Sequence, residues 1–292
     1  MKKIKVVILL LSLSVLFAGE CKVPIELRQY VTVSKPPLNI RDVKRNQQLL
    51  KGMCMFLLTF QEGKYDWKML LVYNPHNNKG PFWFISHDNE NTSFDAAVYA
   101  IVKYGGGFLS ILSSDRRNYK GQDPNRNFSN SLYKVKSCKL QRAASPKYTQ
   151  TIMKILNAYR NGYPILTLHN NLNSWYGGNG KGNISILTSS KNVRSYPAHK
   201  DINHLSKGLK DEDNLIYIAG RSKKPPSKVL NSLLSYGLNV KYEIVNEYNN
   251  DCSLSNYMVL NNPNIEYYNI ETEHGKLTTQ KVMIDKLLQH IK

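Results

Sequence analysis

Acidic residues are scarce in this chain. Its 292 residues hold 21 Asp and Glu against 40 Lys and Arg, for a formal net charge of +19. Such a balance favours an anionic partner, such as a cell-wall polymer, a membrane surface or nucleic acid. Nucleic acid is the weakest of these, because aromatic residues do not interleave with basic ones as they do where bases stack. The lysines are dispersed, and the tightest cluster, Arg221, Lys223 and Lys224 before Pro225-Pro226, reads as a loop. No nucleic-acid partner is expected. Cysteine is also sparse. The four, Cys21, Cys54, Cys138 and Cys252, are too widely and irregularly spaced for a zinc knuckle or a CxxC redox site. Internal repeats and long linkers are absent. Past the N-terminus no apolar run is long enough to cross a membrane. Hydrophobic content of 41% excludes a disordered chain.

The N-terminus is the exception to the shortage of apolar runs. Three lysines in Met1–Lys5 precede the apolar stretch Val6–Ala18, and small residues follow at Ala18 and Gly19. That is the pattern of an exported chain's signal peptide, spanning residues 1–20. Cys21 offers a lipoprotein alternative, disfavoured by Glu20 where a small residue is wanted. Export to the periplasm or beyond permits disulfides. One is expected among Cys54, Cys138 and Cys252, with the pair left open. Residues 21–64, polar and mixed, read as an N-terminal arm. Residues 65–292 read as one domain.

From Trp67 onward strands alternate with helices. Lys68–Tyr73, Phe82–Ile85, Phe108–Leu112, Ile165–Leu168, Leu215–Ala219, Val240–Val245 and Tyr267–Ile270 are apolar runs of strand length. Helical spacing marks Ser93–Tyr104, Tyr148–Tyr159, Lys228–Tyr236 and Thr279–Ile291, the first stopped by Gly105-Gly106-Gly107. The alternation predicts an α/β fold: a single domain whose mixed, mostly parallel central sheet is covered by helices on both faces. Functional groups in such folds gather beyond the carboxyl ends of the strands.

Four polar clusters fall at those ends. Ser86-His87-Asp88-Asn89-Glu90 follows the Phe82–Ile85 run, and spacing of three lets His87 and Glu90 reach one ion. An imidazole and a carboxylate suit zinc, whose catalytic sites take three protein ligands and keep a fourth place open. His169 ends the apolar Ile165–Leu168 run and can supply the third. Residues 116–128, RRNYKGQDPNRNF, concentrate arginine and asparagine suited to gripping a carboxylate. Glu271 ends the Tyr267–Ile270 run, where a carboxylate can serve as a general base.

Taken in order, the clusters resemble the zinc carboxypeptidase family over residues 65–275. The resemblance implies one Zn²⁺ held by His87, Glu90 and His169. It makes Glu271 the catalytic glutamate and Arg116, in R-x-N-x-x-G-x-D-x-N-R, the arginine that polarises the scissile carbonyl. Asn125 and Arg126 become the pair that grips the substrate's terminal carboxylate. Tyr257 is the candidate for the family's mobile tyrosine, with Tyr248 a weaker one. His274, close to Glu271, reads as a loop residue. The loop from Glu90 to Asn125 is short for the family, the stretch from His169 to Glu271 is long, and nothing marks a large charged residue as the floor of the side-chain pocket.

The activity implied is hydrolysis of an amide next to a free C-terminal carboxylate. Stem peptides of peptidoglycan are the favoured substrate, since the short Lys-Lys start looks bacterial and the enzyme is exported. Scavenging of ordinary peptides and cleavage of N-acyl amino acids are alternatives within the same chemistry. A carboxylate-binding protein without turnover and a basic surface adhesin are alternatives outside it. The protein is expected to act as a monomer.

Overall fold

The apolar runs become strands buried on both sides. A computed structural model describes residues 21–36, 39–172 and 184–292. The signal-peptide reading of residues 1–20 lies outside them. Ten strands among the described residues form one sheet: β1 (Thr32–Ser34), β2 (Cys54–Glu62), β3 (Tyr65–Tyr73), β4 (Phe82–Ile85), β5 (Gly107–Ile111), β6 (Ile165–Asn171), β7 (Val193–Tyr196), β8 (Leu215–Gly220), β9 (Val240–Ile244) and β10 (Tyr267–Glu273). Their spatial order is β1-β2-β3-β5-β4-β6-β10-β8-β9-β7. The helices are α1 (Arg41–Arg45), α2 (Asn91–Tyr104), α3 (Pro146–Tyr159), α4 (Ser227–Ser235), α5 (Leu254–Asn261) and α6 (Leu277–Ile291).

The sheet is mixed, as expected, but its parallel share is smaller than the alternation implied. Four neighbouring pairs are parallel and five antiparallel. The difference arises largely at the N-terminal edge. Residues 54–62, read as arm, pair along their whole length with Tyr65–Tyr73 through a tight hairpin at Gly63-Lys64. They therefore belong to the same sheet as the site. The parallel core, β5-β4-β6-β10, is buried at every position.

Alternate side chains of β4 divide the core in two. Phe82 and Phe84 point toward α3 and α5, joining Tyr148, Ile152, Ile155, Leu254 and Met258. Trp83 and Ile85 point toward α2, α4 and α6, joining Phe94, Ala97, Leu233, Met283 and Leu287. Each fully buried Phe or Leu contributes roughly 1.5–3 kcal/mol of transfer free energy. Helix α2 stops at Gly105, φ +78°, and the next residue, Gly106, has φ +75°. A Cβ on Gly106 would strike the carbonyl of Pro81, so only glycine lets the chain turn back into β5 here.

Two disulfides close the fold, Cys21–Cys54 and Cys138–Cys252. They fit an oxidising compartment. Among the described residues no helix is long and apolar enough to cross a membrane.

Candidate metal centre

Imidazole and carboxylate side chains appear in the parallel core only toward its carboxyl ends. His169 in β6 lies opposite Glu271 in β10. His87 stands just past the end of β4, and Glu90 occupies the N-cap position of α2. Glu90 does not cap that helix with its side chain. Asn170 does so instead, its Oδ1 accepting from Ser93 N at 2.9 Å. The Glu90 carboxylate is thereby left to face the two imidazoles. His87 Nδ1 lies 2.7 Å from Glu90 Oε1, and His169 Nδ1 lies 3.1 Å from Glu90 Oε2. The two imidazole rings are 5.0 Å apart, and all three residues are buried.

These three residues fit zinc. One donor atom from each lies within 4.8 Å of the others. Four tetrahedral ligands about 2.0–2.2 Å from one ion stand roughly 3.3–3.6 Å apart. Glu90 Oε2 is buried, and its one close polar neighbour is His169 Nδ1 at 3.1 Å. A buried carboxylate with a ring nitrogen against each oxygen is a donor set that a cation would satisfy. Both histidines present Nδ1, and the far side of each ring has its own partner. His87 Nε2 meets Asp123 Oδ1 at 2.8 Å, while His169 Nε2 lies 3.5 Å from Ser86 Oγ. A carboxylate behind a ligating histidine fixes its tautomer and raises its basicity.

The charges reinforce one another. Burial pushes the Glu90 carboxyl up, but His87 and His169 outweigh it and hold it well below the ordinary value. Asp123 behaves likewise: burial raises it, and His87 and the arginines Arg117 and Arg126 bring it down further. His87 is lowered by burial and raised by more through Glu90 and Asp123. Glu271 goes the other way. Burial raises its carboxyl despite the proximity of His169. Asn269 Nδ2 donates to Glu271 Oε1 at 2.7 Å and fixes its orientation.

A cavity of about 300 Å³ opens beside this group and is lined by His87, Glu90, Arg117, Arg126, His169 and Glu271, among others. Asn125 also lines it; its side-chain oxygen accepts from Leu254 N at 3.2 Å, which keeps its Nδ2 group as a donor. The guanidinium of Arg126 is held from behind by Asp251, Nε to Oδ2 at 3.1 Å.

Two residues named from the sequence, Arg116 and Tyr257, lie outside this cavity. Arg116 is exposed and does not line the cavity, whereas Arg117 does, bridging Glu90 Oε1 and Asp123 Oδ2 at 3.3 Å each. The reason is local. Asp88 accepts from the backbone of Ser113 and Asp115, and the chain turns through positive φ at Ser114 and Asp115, so the next two arginines face opposite ways. Tyr257 is likewise outside the cavity. It lies in α5, packs on Phe128 and donates to Asn130 Oδ1 at 3.1 Å. Tyr248 is 94% exposed on the loop after β9, and His274 is exposed in the turn after β10. Sequence reasoning missed Asp123, Asn170 and Asn269. Asp123 was legible within DPNRNF, since a ligating histidine calls for an acceptor behind it.

No protein-family model matches this chain, and no curated protein matches its sequence. Solved structures do. An inferred metallopeptidase from Shewanella amazonensis is 13% identical with a TM-score of 0.44, over 89% of this chain and 98% of that one. The murein-tripeptide amidase MpaA from Escherichia coli O157 is 13% identical, TM-score 0.39, over 76% and 87%. Bovine thrombin-activatable fibrinolysis inhibitor, solved with tick carboxypeptidase inhibitor, is 11% identical, TM-score 0.40, over 86% and 93%. At this level the likeness decides nothing about activity.

Proposed function

We propose that this chain is an exported zinc-dependent hydrolase of the zinc carboxypeptidase type that cuts an amide bond next to a free C-terminal carboxylate. The reading rests on one observation: two imidazoles and a carboxylate converge in a buried centre, with Glu271 and the Asn125–Arg126 pair on the walls of the same cavity. Zinc bound by His87, Glu90 and His169 supplies a Lewis acid that polarises the carbonyl and acidifies a water.

The remaining work falls to the protein. Glu271 takes the proton of the attacking water and delivers it to the leaving amine nitrogen. Arg117, not Arg116, stabilises charge developing on the carbonyl oxygen. Arg126 and Asn125 hold the terminal carboxylate and so set which amide is cut. Asp123 holds His87 in register. Peptidoglycan stem peptides are the proposed substrate, on the strength of the N-terminal export pattern and of a net charge of +19 that draws the protein to anionic wall polymers.

The test is incubation of the zinc-loaded protein with muropeptides and with plain N-acylated peptides, each as free acid and as amide, with products read by mass. Cleavage of the free acids alone is expected. Glu271→Gln should retain zinc and lose roughly 10²–10⁴-fold in rate. Equal cleavage of acids and amides, or full activity in Glu271→Gln, refutes the assignment.

A further inference from the structure

Outside the cleft described above, three acids converge just before β8. Asp211, Glu212 and Asp213 stand in the turn that leads into the strand, whose first residue, Leu215, lies opposite Glu271. Consecutive side chains of an extended chain point opposite ways. Here all three are buried, and one carboxylate oxygen from each lies within 4.8 Å of the others.

Glu212 is the decisive member. Its side chain is fully buried, and neither carboxylate oxygen meets a donor. Its backbone is fixed, with Ile186 N donating to Glu212 O at 2.8 Å. His204 and Lys276 act on Glu212 and Asp211 through space, and the Lys276 ammonium lies 3.7 Å from Glu273. Burial pushes the carboxyls of Asp211 and Glu212 up, and for Glu212 the charge of Asp211 adds to it. Buried carboxylates this close repel unless a proton or a cation stands between them. A neutral oxygen lies nearby. Asn171, at the end of β6, donates from Nδ2 to the Asp213 carbonyl and to Ile184 O, each at 3.1 Å, and its own Oδ1 is buried without a donor. An all-oxygen set suits a hard cation. Ca²⁺ accepts about six to eight oxygens in irregular geometry, whereas Mg²⁺ demands a near-ideal octahedron.

We propose that Asp211, Glu212 and Asp213 form a second cation site, which takes Ca²⁺ and braces one wall of the cleft. The ion ties the start of β8, through Asp213 and Asn171, to the end of β6, two residues past His169. It also fixes segment 184–188, whose Ile184 and Thr188 line the cavity. The site goes beyond the hydrolase reading and holds whether or not the chain cuts peptides.

The test is equilibrium dialysis of the full chain, given one equivalent of zinc, against calcium chloride, with both metals counted by emission spectroscopy. One Ca²⁺ per chain is expected, with a Kd of about 10⁻⁴–10⁻³ M, the range of extracellular calcium modules. Glu212→Gln and Asp211→Asn should each weaken it about tenfold or more. Glu90→Gln, in the other cluster, and Glu247→Gln, which removes an exposed charge paired with Arg221, should leave it unchanged. Melting curves add a second readout. Without calcium, Glu212→Gln should melt above wild type, because a buried charge lacking a counter-ion is gone. With calcium saturating, it should melt below. No uptake, uptake untouched by Glu212→Gln, or a Glu212→Gln variant that melts higher at every calcium concentration overturns the proposal, the last being the mark of a shared proton.

Discussion

Removing the charge of Asp123 isolates the support behind a proposed metal ligand. Its Oδ1 lies 2.8 Å from His87 Nε2, and its Oδ2 lies 3.3 Å from Arg117. Two unit charges about 4 Å apart interact by about 4 kcal/mol at an effective dielectric of 20. Asp123→Asn does not forfeit all of that, because the amide oxygen still accepts from Nε2–H and keeps Nδ1 as the lone-pair nitrogen facing Glu90. Outer partners of this kind change metal affinity 10–100-fold. Asp123→Asn should fall near the lower bound and Asp123→Ala, which removes charge and acceptor together, near the upper, or about 1.4 and 2.7 kcal/mol. Competition against a chromophoric zinc chelator at fixed pH measures both. Asp201→Asn, which removes an equal charge from an exposed pair with Lys210, serves as the control. If both Asp123 variants bind zinc within about twofold of the control, His87 does not hold the ion through Nδ1 with Asp123 behind it.

Arg117→Ala should lower kcat by roughly 10²–10³-fold, as loss of an oxyanion donor does, while Arg116→Ala changes it little; steady-state kinetics on one free-acid peptide decides, and the reverse order would restore the spacing-based assignment. Glu243, at about 8 against an ordinary 4.5, keeps its proton in the folded chain over that window while the unfolded chain loses it. Stability of the metal-free protein therefore falls as pH rises from about 4.5 to about 8. Glu243→Gln should remove that fall, seen as a melting-temperature gain that grows across the window and refuted by a flat difference. The Cys138–Cys252 bridge spans 114 residues and Cys21–Cys54 spans 33. Loop entropy assigns them about 5 and 4 kcal/mol, so replacing the first pair by serine should cost more in urea unfolding, and the opposite order would refute the entropic account.

The sequence exposed the parallel core because strands buried on both faces need unbroken apolar runs, and Phe82–Ile85 and Ile165–Leu168 have them. It exposed the candidate cluster because His87, Glu90, His169 and Glu271 break those runs with polarity at their carboxyl ends. Strand β2 was less legible. Its partner is set by a hairpin, and the polar stretch before it hid an edge strand in what read as an arm. Spacing could not choose between Arg116 and Arg117, since adjacent residues differ only in which way the Asp88-anchored turn faces them. Glu243 was invisible for another reason. In sequence it is one polar residue in a strand, and its raised carboxyl comes from burial and from Asp251, which only the fold brings near.

Gln280 gives the closing helix a role in assembling the cleft. This fully buried side chain donates to Ser93 Oγ and to the carbonyl of His169, and accepts from Asn170 Nδ2. It therefore ties α6 to the start of α2 and to the strand that carries the third ligand. The convergence of His87, Glu90 and His169 thus depends on a helix that contributes no member to the cluster.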